Sequence, residues 1–341
     1  MHQKLINHEL NTLEMSDLIL FMNQKTSFLP WLARLPVSLF AICVGLFAIG
    51  LSWRFFAQFN NAFALQVAET IGYLACVLLV LLSTLYLAKF IFHRAAFWQE
   101  VTHPLSSSFV GLLPLSVFLL VATYGDPNHL RWLLLTLIAL LVDLVITVRL
   151  LVYLTTGNSH KVAKTAALYV PTVAAGLVGS VALNKLGFSA WPSLLWGMGL
   201  VAWVFLELRV LNHLFNGELP LPMRPTIGLE MAPGAVGTLA AATIWPHLPV
   251  EALLIGLGVA CGPILTVMAR YKWWSQTGFT PGYWSFSFPA AALTSGIIVT
   301  VQKGSWPVGV AVVALTCSST LIVYLICKTL ILTFKGKLLP P

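Results

Sequence analysis

Leu130–Thr155 reads LRWLLLTLIALLVDLVITVRLLVYLT. The stretch has neither Gly nor Pro, and its only charges are Arg131, Asp143 and Arg149. About 20 apolar residues in helical conformation cross the hydrocarbon core of a bilayer, and a segment without breakers keeps every backbone hydrogen bond within itself. The stretch therefore reads as a membrane-crossing helix. The rest of the chain agrees. Of 341 residues, 58% are hydrophobic and 9% charged, and the mean hydropathy is +0.88. A soluble domain carries about a quarter charged residues. This composition excludes an ordinary soluble enzyme, a nucleic-acid binder and a disordered chain.

Nine further apolar stretches flank the first. In order the ten run Val37–Ala57, Ala64–Phe92, Leu105–Thr123, Leu130–Thr155, Thr165–Asn184, Ser193–Leu214, Thr226–Ile244, Val250–Lys272, Gly282–Gln302 and Val308–Phe334. The connections are short and hold breakers such as Gly125-Asp126-Pro127-Asn128 and Thr156-Gly157-Asn158-Ser159. No connection is long enough for a soluble domain, so residues 31–341 form one transmembrane domain. Residues 1–30 read as a cytoplasmic tail or surface helix, because Leu18–Met22 is too short for a signal-peptide core.

The net charge of +8 has a topological origin. Fifteen of the nineteen Lys and Arg fall on one side of the ten spans, whereas Arg54, Arg131, Lys185 and Lys303 fall on the other. Cytoplasmic loops carry the excess of Lys and Arg, so both termini are expected in the cytoplasm. No polyanion partner is needed. The five Cys lie inside spans without metal or disulfide spacing and read as small apolar filler. The eight His fall in the tail, at helix ends or in loops. Haem ligation needs His pairs at facing depths, so no redox subunit and no cofactor or metal is expected.

Prolines supply an internal repeat. Pro114, Pro171, Pro233 and Pro289 lie inside spans three, five, seven and nine, at intervals of 57, 62 and 56 residues, each followed by small residues. Spans two, four and ten have no interior proline, span eight has Pro263, and span one has Pro36 at its entrance and Gly45 inside. An interior proline frees the carbonyl four residues back, here those of Val110, Ala167, Leu229 and Ser285, and in hydrocarbon each freed group needs a partner or water. Four such sites in alternate helices imply five helical hairpins, odd helices inside around a shared axis and even helices outside.

These residues resemble the TehA family of bacterial tellurite-resistance proteins and C4-dicarboxylate transporters, related to the plant slow anion channels. The likeness runs from Leu35 to about Thr333. Its carriers are Leu35-Pro36 with Phe40, Ile42 and Gly45; Trp53-Arg54; His103-Pro104 with Ser107-Ser108-Phe109-Val110 and Pro114; Leu168-Tyr169-Val170-Pro171-Thr172; Glu207; Arg224 with Gly228 and Ala232-Pro233; and Trp284-Ser285-Phe286-Ser287-Phe288. The resemblance implies an all-α, ten-helix, quasi-five-fold fold with a central pore in each protomer, a homotrimer in the bacterial inner membrane, and small inorganic or organic anions as the permeating species. It also implies that Phe288 plugs the pore, with Phe40, Gly45 and the four prolines at its wall and kinks. From spacing alone, Trp284 and Phe288 share a helical face while Phe286 points elsewhere. The chain departs from the family at Ser38-Leu39-Phe40-Ala41, where a glycine-rich run is common, and at Asp143 and Glu230, where an amide or apolar residue is usual.

An acid at a membrane helix centre costs about 2.5–3.5 kcal/mol on the insertion scale. Glu207 is expected to pair with Arg209 or Arg149. Asp143, on an outer helix, is expected to be buried and hydrogen-bonded or protonated. Glu230, three residues before Pro233, is a candidate for a pore-facing or paired charge. Two functions follow: a gated anion pathway through each protomer, or a proton-coupled carrier for dicarboxylate, sulfite or tellurite-like oxyanions with Glu230 or Asp143 as the titrating group.

Overall fold

The computed structural model describes residues 29–103, 106–158, 165–217 and 219–339. The tail proposed at residues 1–30, and within the loops Pro104, Lys161 and Lys164, lie outside the described residues apart from Leu29 and Pro30. Ten helical spans are long and apolar enough to cross a membrane. They are α1 (Val37–Ala57), α2 (Ala62–Phe92), α3 (Ser106–Tyr124), α4 (Leu130–Thr156), α5 (Ala166–Lys185), α6 (Ala190–Asn216), α7 (Leu221–Ile244), α8 (Val250–Ala269), α9 (Pro281–Gly304) and α10 (Val308–Phe334). All ten coincide with stretches read from the sequence, with ends displaced by a few residues. Among the described residues there is no strand. The chain is an all-α polytopic membrane protein.

The odd and even spans divide into two layers. In α1, α3, α5, α7 and α9 the most apolar window is 72, 61, 83, 94 and 83% buried, whereas in α2, α4, α6, α8 and α10 the share is 28, 22, 17, 17 and 28%. The exposed side chains of the even spans are Leu, Val, Ile and Phe, including Val77, Leu141, Phe205 and Ile255. Such a surface is stable only against hydrocarbon. Around the interior, α1 packs on α3, α3 on α5, α5 on α7, α7 on α9 and α9 on α1, closing a ring. Each even span packs on the odd span that precedes it.

The odd spans are not simple kinked helices. Each starts with a segment that is not regular α-helix: 3₁₀ turns at Val37–Leu39, Ala166–Leu168, Leu221–Met231 and Pro281–Phe286, a π turn at Val170–Ala174, and in α3 a short helix interrupted at Gly111. Regular helix then runs from Phe40, Leu112, Ala175, Ala232 and Ser287. Pro114, Pro233 and Pro289 sit in the first turn of these regular halves, where a missing N–H costs nothing. The expectation of freed carbonyls is corrected at Leu229, and other carbonyls near the breaks also find donors. Leu229 O accepts from Ala232 N through the tighter 3₁₀ spacing. Pro171 O and Leu168 O accept from the hydroxyls of Thr147 and Thr172 at 2.8 and 2.7 Å.

Close approach at the breaks depends on small residues. A Cβ on Gly111 would lie 3.1 Å from the Pro171 ring, and one on Gly234 would lie 2.8 Å from Ala260 Cα. The hydroxyl of Ser52 bridges α1 to α9 through Ala291 O and Ser295 Oγ, both at 2.9 Å.

Candidate conduction path

The starts of α1, α3, α7 and α9 surround a cavity of about 450 Å³. Its wall includes Pro36, Val37 and Ser38 of the first segment, Ser106 and Phe109 of α3, Met223 and Thr226 of α7, and Pro281 and Ser285 of α9. Ala41, Leu112, Leu229 and Ser285 continue from this vestibule into a second void of about 30 Å³. All five odd spans line that void: Ala41 and Val44, Leu112 and Leu115, Tyr169 and Ala174, Leu229 and Ala232, Trp284 and Phe288. A space of this size holds one or two waters and no hydrated anion. Phe288 is 5% exposed and stands among the residues that line the void.

Trp284 and Phe288 both reach the void although a change from 3₁₀ to α geometry falls between them. Phe286 turns away into a separate cluster with Ile227, Met231 and Val267, as the spacing suggested. The Trp284 indole donates to Thr329 Oγ1 of α10 at 2.9 Å.

The other residues singled out in the sequence sit behind this wall. Neither cavity is lined by Phe40, Gly45, Pro114, Pro171, Pro233 or Pro289. Phe40 packs edge-on against Tyr86 of α2 with centroids 6.1 Å apart. Gly45 faces α9, where an added Cβ would lie 2.8 Å from Ser287 Cβ and 3.1 Å from the Trp284 ring. Pro171 packs on Gly111, Pro233 lines a groove between α6 and α8, and Pro114 and Pro289 are buried.

The intramembrane acids also stand outside both cavities. Glu230 is 3% exposed and pairs with Arg270 at 3.0 Å. Among the described residues Glu207 forms no ion pair with an arginine. Its Oε2 accepts from Tyr169 OH at 2.7 Å and from Trp203 Nε1 at 2.9 Å. Arg209 is two positions along the same helix and so points to another face, while Arg149 lines an outer pocket with Ser107 and Tyr153. Asp143 is buried, and its Oδ1 has no hydrogen-bond partner among the described residues.

Two residues at the vestibule escaped sequence reasoning. Glu100, in a short helix between α2 and α3, lines the cavity. It accepts from Val37 N at 2.7 Å, from Tyr86 OH at 3.2 Å and from the buried Lys89 ammonium at 2.7 Å. Lys89 also donates to Leu35 O at 2.7 Å. The only sequence signal was a Lys one turn inside an apolar span.

A closed ring of buried helices around a small shared void, set in a lipid-facing shell, is the layout of a membrane channel or transporter. Comparison with known proteins gives the family. The SLAC1 family, described as voltage-dependent anion channels, matches residues 34–332, and the chain belongs to it. It is 27% identical over 312 residues to the tellurite resistance protein TehA homolog of Haemophilus influenzae, covering 89% of this chain and 92% of that protein. It is 23% identical over 340 residues to the S-type anion channel SLAH3 of Arabidopsis thaliana, and 23% over 290 residues to the guard cell S-type anion channel SLAC1 of the same plant. The alignments cover 95% and 80% of this chain but about half the length of those plant proteins (52% and 50%). The protein is thus a multi-pass membrane protein of an anion channel and transporter family.

Proposed function

We propose that each protomer conducts small anions along the axis of the odd-span ring, and that the Phe288 ring is the gate. One observation carries the anion reading: all five odd spans run in the same direction, with their starts on the vestibule side. The starts of α1, α3, α7 and α9 line the vestibule, and α5 joins them at the void. Peptide dipoles place positive potential at helix starts, worth about 0.3–1 kcal/mol per terminus toward an anion. The opposing contribution is reduced, because Leu229 O, Pro171 O and Leu168 O are engaged by donors of the protein. The wall near Phe288 is apolar, so passage is blocked by sterics and dewetting until that ring moves.

The same reading places both termini in the cytoplasm, on the strength of the Lys and Arg asymmetry, and assembles the chain as a homotrimer in the bacterial inner membrane, as the TehA resemblance implies. The vestibule then opens to the cytoplasm. The name of the Haemophilus relative points to tellurite-like oxyanions as one class of permeant. Against a proton-coupled carrier stands the position of the acids: Glu230 and Asp143 line neither cavity. Anion flux into liposomes under an imposed pH gradient tests this choice. A channel gives flux that follows the anion gradient and membrane potential. Saturable flux that reverses with the pH gradient would make the protein a carrier.

A further inference from the structure

The vestibule is closed on one side by residues that follow the last span. Lys337, Leu338 and Leu339 line it together with the starts of α1, α3, α7 and α9. Their position is built in three ways. Gly336 adopts φ +65°, a left-handed conformation that side-chain-bearing residues rarely adopt. The turn is closed by Gly336 N to Thr333 O at 3.0 Å and Lys337 N to Leu332 O at 2.9 Å, the paired bonds of a Schellman ending. Leu338 and Leu339 then pack on the main hydrophobic core. The chain is therefore turned back from α10 across the ring entrance.

Among the described residues, the charged ones that line this cavity are Glu100 and Lys337. Glu100 is neutralised by Lys89 and held further by Val37 N and Tyr86 OH. The Lys337 side chain is exposed and forms no ion pair or hydrogen bond among the described residues. Among the described residues, the uncompensated charge of the vestibule wall is thus one ammonium, carried by a segment outside the ring.

We propose that Lys337 is a specificity-determining residue for conduction: it concentrates small carboxylates or inorganic oxyanions and halides in the vestibule ahead of the constriction, and the Gly336 turn with the Leu338–Leu339 anchor exists to hold it there. The inference rests on the anion-conduction reading. A charge in a low-dielectric cleft focuses its field on the mouth, raises the local concentration of counter-ions, and loses this effect as salt screens it.

The test is made in Phe288→Ala, reconstituted in planar bilayers with chloride as the probe. In about 20 mM salt, Lys337→Gln is expected to lower chloride current about two- to fivefold, Lys337→Glu to lower it further, and Lys337→Arg to retain it, with all four converging near 1 M salt. The chloride-over-sodium permeability ratio falls in the same order. Gly336→Val, which opposes the left-handed turn, is expected to lower the current as Lys337→Gln does. If Phe288→Ala conducts but the Lys337 variants match it at every salt concentration, or lose current by a factor that salt does not change, the role of Lys337 is refuted alone. A Phe288→Ala protein that folds and passes no anion current removes the conduction reading and this inference with it.

Discussion

Arg270 Nη2, just past the end of α8, lies 3.0 Å from Glu230 Oε2 of α7, and neither residue lines the vestibule or the void. The acid beside the α7 break is therefore held by an outer helix. Its two partners differ in burial: Glu230 is 3% exposed, and the Arg270 side chain 34%. Removing a partner from a buried carboxylate leaves an uncompensated group and costs about 3–5 kcal/mol, whereas the half-exposed guanidinium recovers water when its partner is lost. Arg270→Gln should therefore lower the unfolding temperature in detergent more than Glu230→Gln does. Glu230→Gln should leave anion flux unchanged, and a clear rise would place Glu230 on the ion path.

The Lys89–Glu100 pair yields a second expectation. Glu100 joins the linker helix to the start of α1 through Val37 N, and Lys89 joins α2 to Leu35 O. Glu100→Ala strands a buried ammonium and a backbone N–H, at a cost of about 3 kcal/mol or more. Thermal unfolding in detergent checks this, and loss of protection of the Val37 amide in hydrogen exchange localises the effect.

Gly45 permits α1 to approach α9. Gly45→Ala would drive a methyl group into Ser287 and Trp284. Overpacking of this kind costs about 1–3 kcal/mol. Because Phe288 follows Ser287, the displaced segment carries the proposed gate. The variant should be less stable than the parent and show altered current in the Phe288→Ala background, measured by the same bilayer recording.

Asp143 gives the opposite sign. Its Oδ1 has no partner among the described residues, and the residue is buried on a lipid-facing span. Replacing an unsatisfied buried polar group with an apolar one of similar size is neutral or stabilising by about 1–3 kcal/mol. Asp143→Leu should keep or raise the unfolding temperature and leave flux unchanged, and a drop in flux would give Asp143 a role in transport.

The layering of the fold was legible because two physical signals coincide. A span facing lipid must satisfy its own backbone, so α4 carries no Gly or Pro, while the buried spans tolerate Pro114, Pro171, Pro233 and Pro289. What the prolines do was misread: Pro114, Pro233 and Pro289 open regular helical halves after 3₁₀ or broken segments and Pro171 lies in a π turn ahead of one, and a helical-period argument does not distinguish these cases. The seventh stretch was read from Thr226, yet the 3₁₀ segment there runs from Leu221 to Met231. Partners distant in sequence were out of reach. Glu207 finds Tyr169, 38 residues away, through packing that no local pattern encodes. Phe40 and Gly45 were assigned to the pore wall, but their faces are set by Tyr86 and Trp284, which are contributed by neighbouring spans.

The account turns on whether the Phe288 ring stops ions in an otherwise continuous path. The most direct measurement is the chloride current of the wild-type protein beside Phe288→Ala in planar bilayers, at equal amounts of folded protein. The expected result is a near-silent wild type and a sustained, anion-selective current in the variant. A folded Phe288→Ala protein as silent as the wild type, or one that passes cations as readily as anions, would contradict the account.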